Sequence, residues 1–482
     1  MNFAFASIAP ALPEIVLLTA LCLLLLLDLW INDENRFYTY VLAQLSLIAT
    51  GISVLTLSAG TAMTAFGGMF ISDELTRTLN IFSLITMGFV FAYSRLYSQQ
   101  RGLFKGEFFV LMLFALLGIM VMISANHFLV LYLGLEMLSL AQCALIALQR
   151  ESKQATEAAM KYFVLSALAS GLLLYGLSML YGATGSLMIP EVANAIAANT
   201  IDPAILVFGL VFVVAGVGFK LGAVPFHMWI PDVYEGSPTS VTLFVASVPK
   251  IAAFAFIIRL LVGALGAMVS DWQPMLVIMA VLSIGLGNIV AIAQTNIKRM
   301  LAYSTIAHMG YLLLGILSAS VAGYAASMFY VASYVIVSIA ALGIVMLLSR
   351  HGFEGDRLED FKGLNNRSPW IAFMMLLVML SMAGVPPSVG FFAKLSVLSA
   401  VLDAGYTWLV VYAVIMSLIG AFFYLRVIKL MYMDDPVSEE PLVAEPDHLI
   451  LIGLNGLVIF VLGIIPQSLI DLCVNSITRS FR

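Results

Sequence analysis

Four lysines and one glutamate stand where a water-soluble protein would have no use for them. Lys161, Lys220, Lys250 and Lys394, and the carboxylate Glu136, each fall within a long apolar run. Glu136 sits about nine residues into its run, or ~14 Å along a helix, and Lys250 lies at a similar depth. A charge at the centre of a spanning helix costs roughly 2.5–3.5 kcal/mol even on the lenient insertion scale. Amines and carboxyls held out of water drift toward their neutral forms, and groups poised that way can take up and release protons. The bland alternative is a buried ion pair that locks helix register, or a long side chain snorkelling to the interface. Snorkelling suits Lys161, close to a segment start; the depth of Glu136, Lys220 and Lys250 argues against it. His227 and His308 add imidazoles able to relay protons near neutral pH or simply to hydrogen-bond a freed carbonyl.

The elements that must hold these groups are membrane-crossing helices. The chain has 482 residues, 62% hydrophobic and 10% charged, with 22 Lys plus Arg against 27 Asp plus Glu and a net charge of −5. Mean hydropathy is +1.05. Soluble domains are nearer a quarter charged, nucleic-acid binders show a basic stripe, and disorder needs a polar excess, so these classes are excluded. Cys22, Cys143 and Cys473 sit apart in apolar stretches and form no disulfide framework, iron–sulfur motif or zinc motif, and no metal site is expected. A spanning helix takes about 20 apolar residues. Fourteen such stretches can be read, near 10–30, 37–58, 75–96, 107–124, 127–148, 157–181, 204–229, 241–265, 273–294, 301–318, 324–349, 370–401, 406–431 and 448–470. The predicted class is therefore an all-α, multi-pass membrane protein. The third stretch is the weakest, with Asp73, Glu74 and Arg77 at its start.

Basic residues alternate between loops. Arg36 follows the first segment; Arg95, Arg101 and Lys105 the third; Arg150 and Lys153 the fifth; Lys298 and Arg299 the ninth; Arg350, Arg357, Lys362 and Arg367 the eleventh. Loops after the second, fourth, sixth, eighth, tenth and twelfth segments have none. The positive-inside rule places the odd-numbered loops in the cytoplasm and both termini outside, with only Arg479 and Arg482 opposing.

Two segments are built to break. The seventh reads Gly216-Val-Gly-Phe-Lys220-Leu-Gly-Ala-Val-Pro225-Phe-His227, and the twelfth reads Gly384-Val-Pro386-Pro387-Ser-Val-Gly390-Phe-Phe-Ala-Lys394. Interior proline removes a hydrogen bond and clashes with the preceding turn. Such breaks persist at membrane depth only where the freed backbone is buried or lines a wet cavity. Five segments apart, they cross in opposite directions, the pattern of inverted repeats in transporters. The expected division is flanking helices over 1–100, repeats over 101–266 and 267–433, and a last helix over 434–482. Pro231–Gly236, beyond the first break, reads as a polar capping turn. A sodium site would want several hard oxygen ligands; one deep carboxylate among several amines favours H⁺.

Five stretches resemble the antiporter-like subunits of proton-pumping NADH:quinone oxidoreductase, respiratory complex I. They are Leu133-Gly-Leu-Glu136-Met-Leu-Ser-Leu140, Glu157-Ala-Ala-Met-Lys161-Tyr-Phe, Gly218-Phe-Lys220-Leu-Gly-Ala-Val-Pro225-Phe-His227-Met-Trp-Ile-Pro-Asp-Val-Tyr-Glu-Gly236, Gln294-Thr-Asn-Ile-Lys298-Arg-Met-Leu-Ala-Tyr-Ser304, and the twelfth segment. The third run points to the N-type, the smallest of three. The L-type carries a long lateral helix that has no counterpart here, and the M-type has glutamate where Lys394 stands. The resemblance implies that Glu136 pairs with Lys220, that Lys250 is the central relay, and that Lys394 passes protons outward. Lys161, His227, His308 and Lys298 are further relay candidates, with Pro225, Pro386 and Pro387 at the breaks. It also implies a bacterial plasma (inner) membrane location. The partners would be other complex I membrane subunits, including a neighbouring antiporter-like one, with lipid and protons but no nucleic acid. NADH, FMN, iron–sulfur clusters and quinone would belong to other subunits. A subunit of a multisubunit Na⁺/H⁺ antiporter is the alternative.

Overall fold

A backbone in hydrocarbon has no water to bond, so each apolar run must satisfy its own N–H and C=O groups, and the helix does so within one segment. The computed structural model follows that rule and describes residues 8–57, 62–349, 353–436 and 445–481. Arg350 and Arg482, which entered the charge balance, lie outside these residues. The first helices are α1 (Leu12–Asp28), α2 (Arg36–Thr56), α3 (Glu74–Gln100), α4 (Gly106–Ile123), α5 (Phe128–Ile146), α6 (Lys153–Thr184) and the short α7 (Ile189–Ala197). Then come α8 (Pro203–Leu221), α9 (Trp229–Gly236), α10 (Thr239–Ala246), α11 (Val248–Ile257), α12 (Val269–Ile292), α13 (Ile297–Leu317) and α14 (Val321–Leu348). The chain closes with α15 (Leu364–Arg367), α16 (Pro369–Ala383), α17 (Val389–Asp403), α18 (Thr407–Met433), α19 (Pro446–Ile464) and α20 (Gln467–Ser480).

Among the described residues, 13 helical stretches are long and apolar enough to cross a membrane. The fourteenth predicted segment is the twelfth, divided into α16 and α17, so neither half reaches full length alone. Three features depart from the sequence reading. Pro231–Gly236 is not a turn but most of α9. The eighth segment is interrupted at Ser247 (φ −115°, ψ −87°) between α10 and α11, and it ends in a π-helix over Ile258–Ala264. A small antiparallel hairpin, β1 (Met63–Ala65) with β2 (Phe70–Ser72), is the one sheet among the described residues.

The core lies where the broken segments meet. Residues 239–261 are buried throughout, whereas only 28% of an 18-residue stretch of α18 is, so α10 and α11 occupy the centre and α18 the rim. Hydrogen bonds between loops give the sidedness. Ile71 N–H bonds Ser124 O and Phe128 N–H bonds Leu187 O, joining the loops after the second, fourth and sixth segments. On the other face Ile297 N–H bonds Asp356 O and Arg101 bonds Phe353 O, joining those after the third, ninth and eleventh. Basic and lysine-free loops thus lie on opposite faces, as the charge alternation requires.

Candidate functional site

The breaks are alike in detail. A helix stops cleanly when a glycine takes up the left-handed conformation just past its last turn. Gly222 does this for α8 (φ 80°) and Gly384 for α16 (φ 84°). Ala223 N–H then reaches Gly218 O at 2.9 Å, and Val385 N–H reaches Leu380 O at 2.9 Å. A carbonyl still faces outward at each end. Lys250 Nζ donates to Leu221 O at 3.0 Å, and Lys394 Nζ donates to Ala383 O at 2.9 Å. Leu221 and Ala383 occupy the same position, one residue before the terminating glycine. Two ammonium groups therefore sit on the negative ends of two half-helix dipoles. Each also lies over an aromatic ring, Trp229 at 5.5 Å for Lys250 and Tyr311 at 5.1 Å for Lys394. Lys394 makes a further bond to Ser417 Oγ at 2.9 Å.

Lys220, in the last turn of α8, is 7% exposed and faces α5. Its amine donates to Ser139 Oγ at 3.4 Å and Gln142 Oε1 at 3.5 Å. The expected ion pair with Glu136 is not formed: Glu136 instead accepts a hydrogen bond from Ser170 of α6, which also bonds Tyr132 Oη at 3.0 Å. Ser139 and Gln142 lie farther along the same helix and offer neutral acceptors, so the lysine and the carboxylate are held by different partners. Periodicity on α5 is the signal that would have found them. Glu136, Ser139 and Gln142 recur every three residues on an otherwise apolar helix.

His308 of α13 is buried, with Nδ1 2.7 Å from Tyr330 Oη and Nε2 3.2 Å from Tyr424 Oη. Tyr424 shares a 2.5 Å bond with Ser304, and Thr305 one of 2.8 Å with Tyr334. A cavity of about 20 Å³, room for one water, lies between His308, Tyr330, Tyr334, Ser381 and Gly390 beside the second break. These tyrosines were not singled out in the sequence, because an aromatic at helical spacing reads as ordinary core. His227 lies half-buried between α8 and α9, its Nδ1 without a hydrogen-bond partner. Pro225 and the Pro386–Pro387 pair fall between the helical halves, as expected.

Two further candidates lie near α9. Lys298, 2% exposed, donates to Ser237 O at 3.0 Å and so caps the C-terminal end of α9. Lys161 is exposed on the basic face, 2.8 Å from both Glu157 and Asp232. Arg299 joins the cluster through Asp232 at 2.9 Å and Glu235 at 2.7 Å. Burial pushes the Asp232 carboxyl up, but hydrogen bonds from Lys161 and Arg299 outweigh it and hold the group below the usual aspartate range. Glu445, Asp447 and His448 are close enough to share a cation, and the Arg95 guanidinium already pairs with both carboxylates.

Residues 125–420 match the family described as "NADH:quinone oxidoreductase/Mrp antiporter, TM". Over its whole length the chain is 57% identical to NADH-quinone oxidoreductase subunit N of Nitrosomonas europaea, covering 100% of each protein. It belongs to the subunit N family. A second relative, subunit N of Thiobacillus denitrificans, is 56% identical with 100% of each chain covered. A chain of respiratory complex I from Thermus thermophilus superposes with a TM-score of 0.82 at 30% identity, over 96% of this chain and 99% of that one. A chain of the Mrp complex from Dietzia shares the fold alone, with a TM-score of 0.82 at 19% identity over 98% and 97% of the two chains. Subunit N is a multi-pass membrane component of bacterial complex I, an NADH:quinone oxidoreductase, and the multisubunit Na⁺/H⁺ antiporter alternative gives way to these full-length matches.

Proposed function

We propose that this subunit conducts protons across the bacterial plasma membrane through a row formed by Glu136, Lys220, Lys250 and Lys394, driven by quinone reduction in other subunits. The observation that carries the reading is that Lys220, Lys250 and Lys394 rest on neutral acceptors, with no carboxylate among the described residues ion-paired to any of them. A buried ammonium without a counter-ion holds its proton only through hydrogen bonds and dipoles, so a nearby charge can tip it. Protonating one lysine disfavours protonation of the next, which makes the row a set of coupled sites. His308 and its tyrosines lie beside the second break and would relay between Lys250 and Lys394.

Residues 101–266 and 267–433 would be the inverted repeats, a division favoured by the matched ends of α8 and α16. The basic face would be cytoplasmic and both termini would be outside. FMN, iron–sulfur clusters, NADH and quinone would be bound by other subunits, one neighbour being another antiporter-like subunit.

The test uses membrane vesicles carrying the assembled complex. Glu136→Ala, Lys220→Ala and Lys394→Ala should each assemble, as judged by native gel, yet show several-fold lower coupled NADH oxidation and proton uptake. Full pumping by an assembled Lys220→Ala complex would refute the row.

A further inference from the structure

The row leaves α1, α2 and α3 without a role, yet α1 carries a carboxylate deep in protein. Glu14 is 6% exposed. Its Oε1 accepts hydrogen bonds from Ser124 Oγ at 2.9 Å and Asn80 Nδ2 at 3.3 Å. Its Oε2 has no partner, nor does Asn80 Oδ1, although both are buried. Two oxygens that can only accept are thus out of water and without donors. Among the described residues no cation pairs with the carboxylate: Arg259 is committed to Asp73, through bonds of 2.7 and 2.8 Å, and Arg77 makes no ion pair with Glu14. Isolated buried carboxylates are strongly disfavoured. A proton on Oε2 would turn an orphan acceptor into a donor and remove the charge at once.

The surroundings open the site to the surface and tie it to the central core. Glu14, Asp73, Glu74, Arg77 and Asn80 line a crevice with room for a single water, about 20 Å³. Glu74 and Arg77 are half-exposed, so the crevice reaches the surface on the lysine-free face. Inward, Ser124 follows Ile123, whose carbonyl accepts from Arg259 Nε at 3.2 Å. Arg259 belongs to the π-helical continuation of α11, the helix that carries Lys250.

We propose that Glu14, Asn80 and Ser124 form a proton-binding site on the outer face, where protons leaving the lysine row are held before release. The site's place in the pathway rests on the proposed row, while its occupancy by a proton does not. Infrared difference spectra of purified complex, wild type minus Glu14→Gln, should show the carbonyl band of a protonated carboxylic acid, present only in wild type. Asn80→Ala, which removes a donor to Oε1, should shift that band, and this second reading stands even if Glu14→Gln fails to assemble. Assembled Glu14→Gln should translocate protons several-fold more slowly.

The proposal is overturned if the band is absent, as it would be were a metal cation held there instead, or if Asn80→Ala leaves the band unmoved. Wild-type translocation by Glu14→Gln overturns it too. The row and the site fail separately. Full pumping by Lys220→Ala with the Glu14 band present refutes only the row. A missing band with pumping lost in Lys220→Ala refutes only the site.

Discussion

Lys250 is the best case for asking whether a buried amine is a carrier or a clamp. It is 1% exposed, its ammonium rests on Leu221 O, and Trp229 covers it. As a clamp it would need only a permanent positive charge and an N–H donor at the end of α8, and arginine offers both. As a carrier it must let the proton go, which a guanidinium does not do at accessible pH. Lys250→Arg in an assembled complex is therefore expected to lower NADH-driven proton uptake several-fold, as Lys250→Met should. Normal uptake by the arginine variant would identify the amine as a fixed cap. The depth of this lysine was plain from its position in an apolar run, but its partner was not. Leu221 O comes from a segment 29 residues earlier in the chain, and a carbonyl carries no signature in residue type. Lys298 was read as a relay candidate, and its partner, Ser237 O at the end of α9, was equally hidden from the sequence.

Where a helix stops matters as much as which side chain it carries. Proline and glycine mark both breaks in the sequence because no uninterrupted helix accommodates them. The interruption at Ser247 and the helical nature of α9 were hidden, since tertiary packing decides both and local composition neither. Likewise α20 went unread: it is short and amphipathic, and it is tied to α3 by a 2.8 Å bond between Ser476 and Thr78. Gly384 puts the break to a test. Its φ of 84° costs an L residue roughly 1–2 kcal/mol, and a Cβ there would lie 2.9 Å from Lys394 Cδ. Gly405 provides the control, with a φ of +86° and nothing within 4 Å of its would-be Cβ. Both alanine variants should lower the melting temperature of the purified complex by similar amounts. Only Gly384→Ala should also lower protons moved per NADH, because only there does the new methyl push on Lys394, a lysine of the proposed row. Equal coupling in the two variants would mean that the geometry of this helix end does not govern Lys394.

At the scale of the whole molecule, the flanking helices are fastened to the central core by charge as well as by apolar packing. Asp73, at the N-terminus of α3, receives both guanidinium nitrogens of Arg259, and the pair is 3% and 7% exposed at its side chains. Thr76 Oγ1 accepts a third bond from the guanidinium at 2.8 Å. Charge at the start of the third segment made it look the weakest span, whereas the structure uses that charge as a staple to the helix of Lys250. Burial pushes the Asp73 carboxyl up, and the guanidinium outweighs this and holds it below the usual aspartate range. A carboxyl so lowered contributes its stability at every pH above the ordinary aspartate value and loses it only as pH falls through its own lower one. The staple is therefore intact throughout the physiological range. Removing one partner leaves the other charge buried and alone, at a cost of about 3–5 kcal/mol, whereas replacing both with apolar groups of similar volume is often neutral. Asp73→Asn should thus sharply reduce the amount of assembled complex seen on a native gel, and Arg259→Met should do the same. The double variant Asp73→Leu with Arg259→Met should recover most of the assembly lost in either single one. If the double variant instead assembles as poorly as the singles, the hydrogen bonds to Thr76 and Ile123, rather than the balance of charge, hold the flanking helices in place.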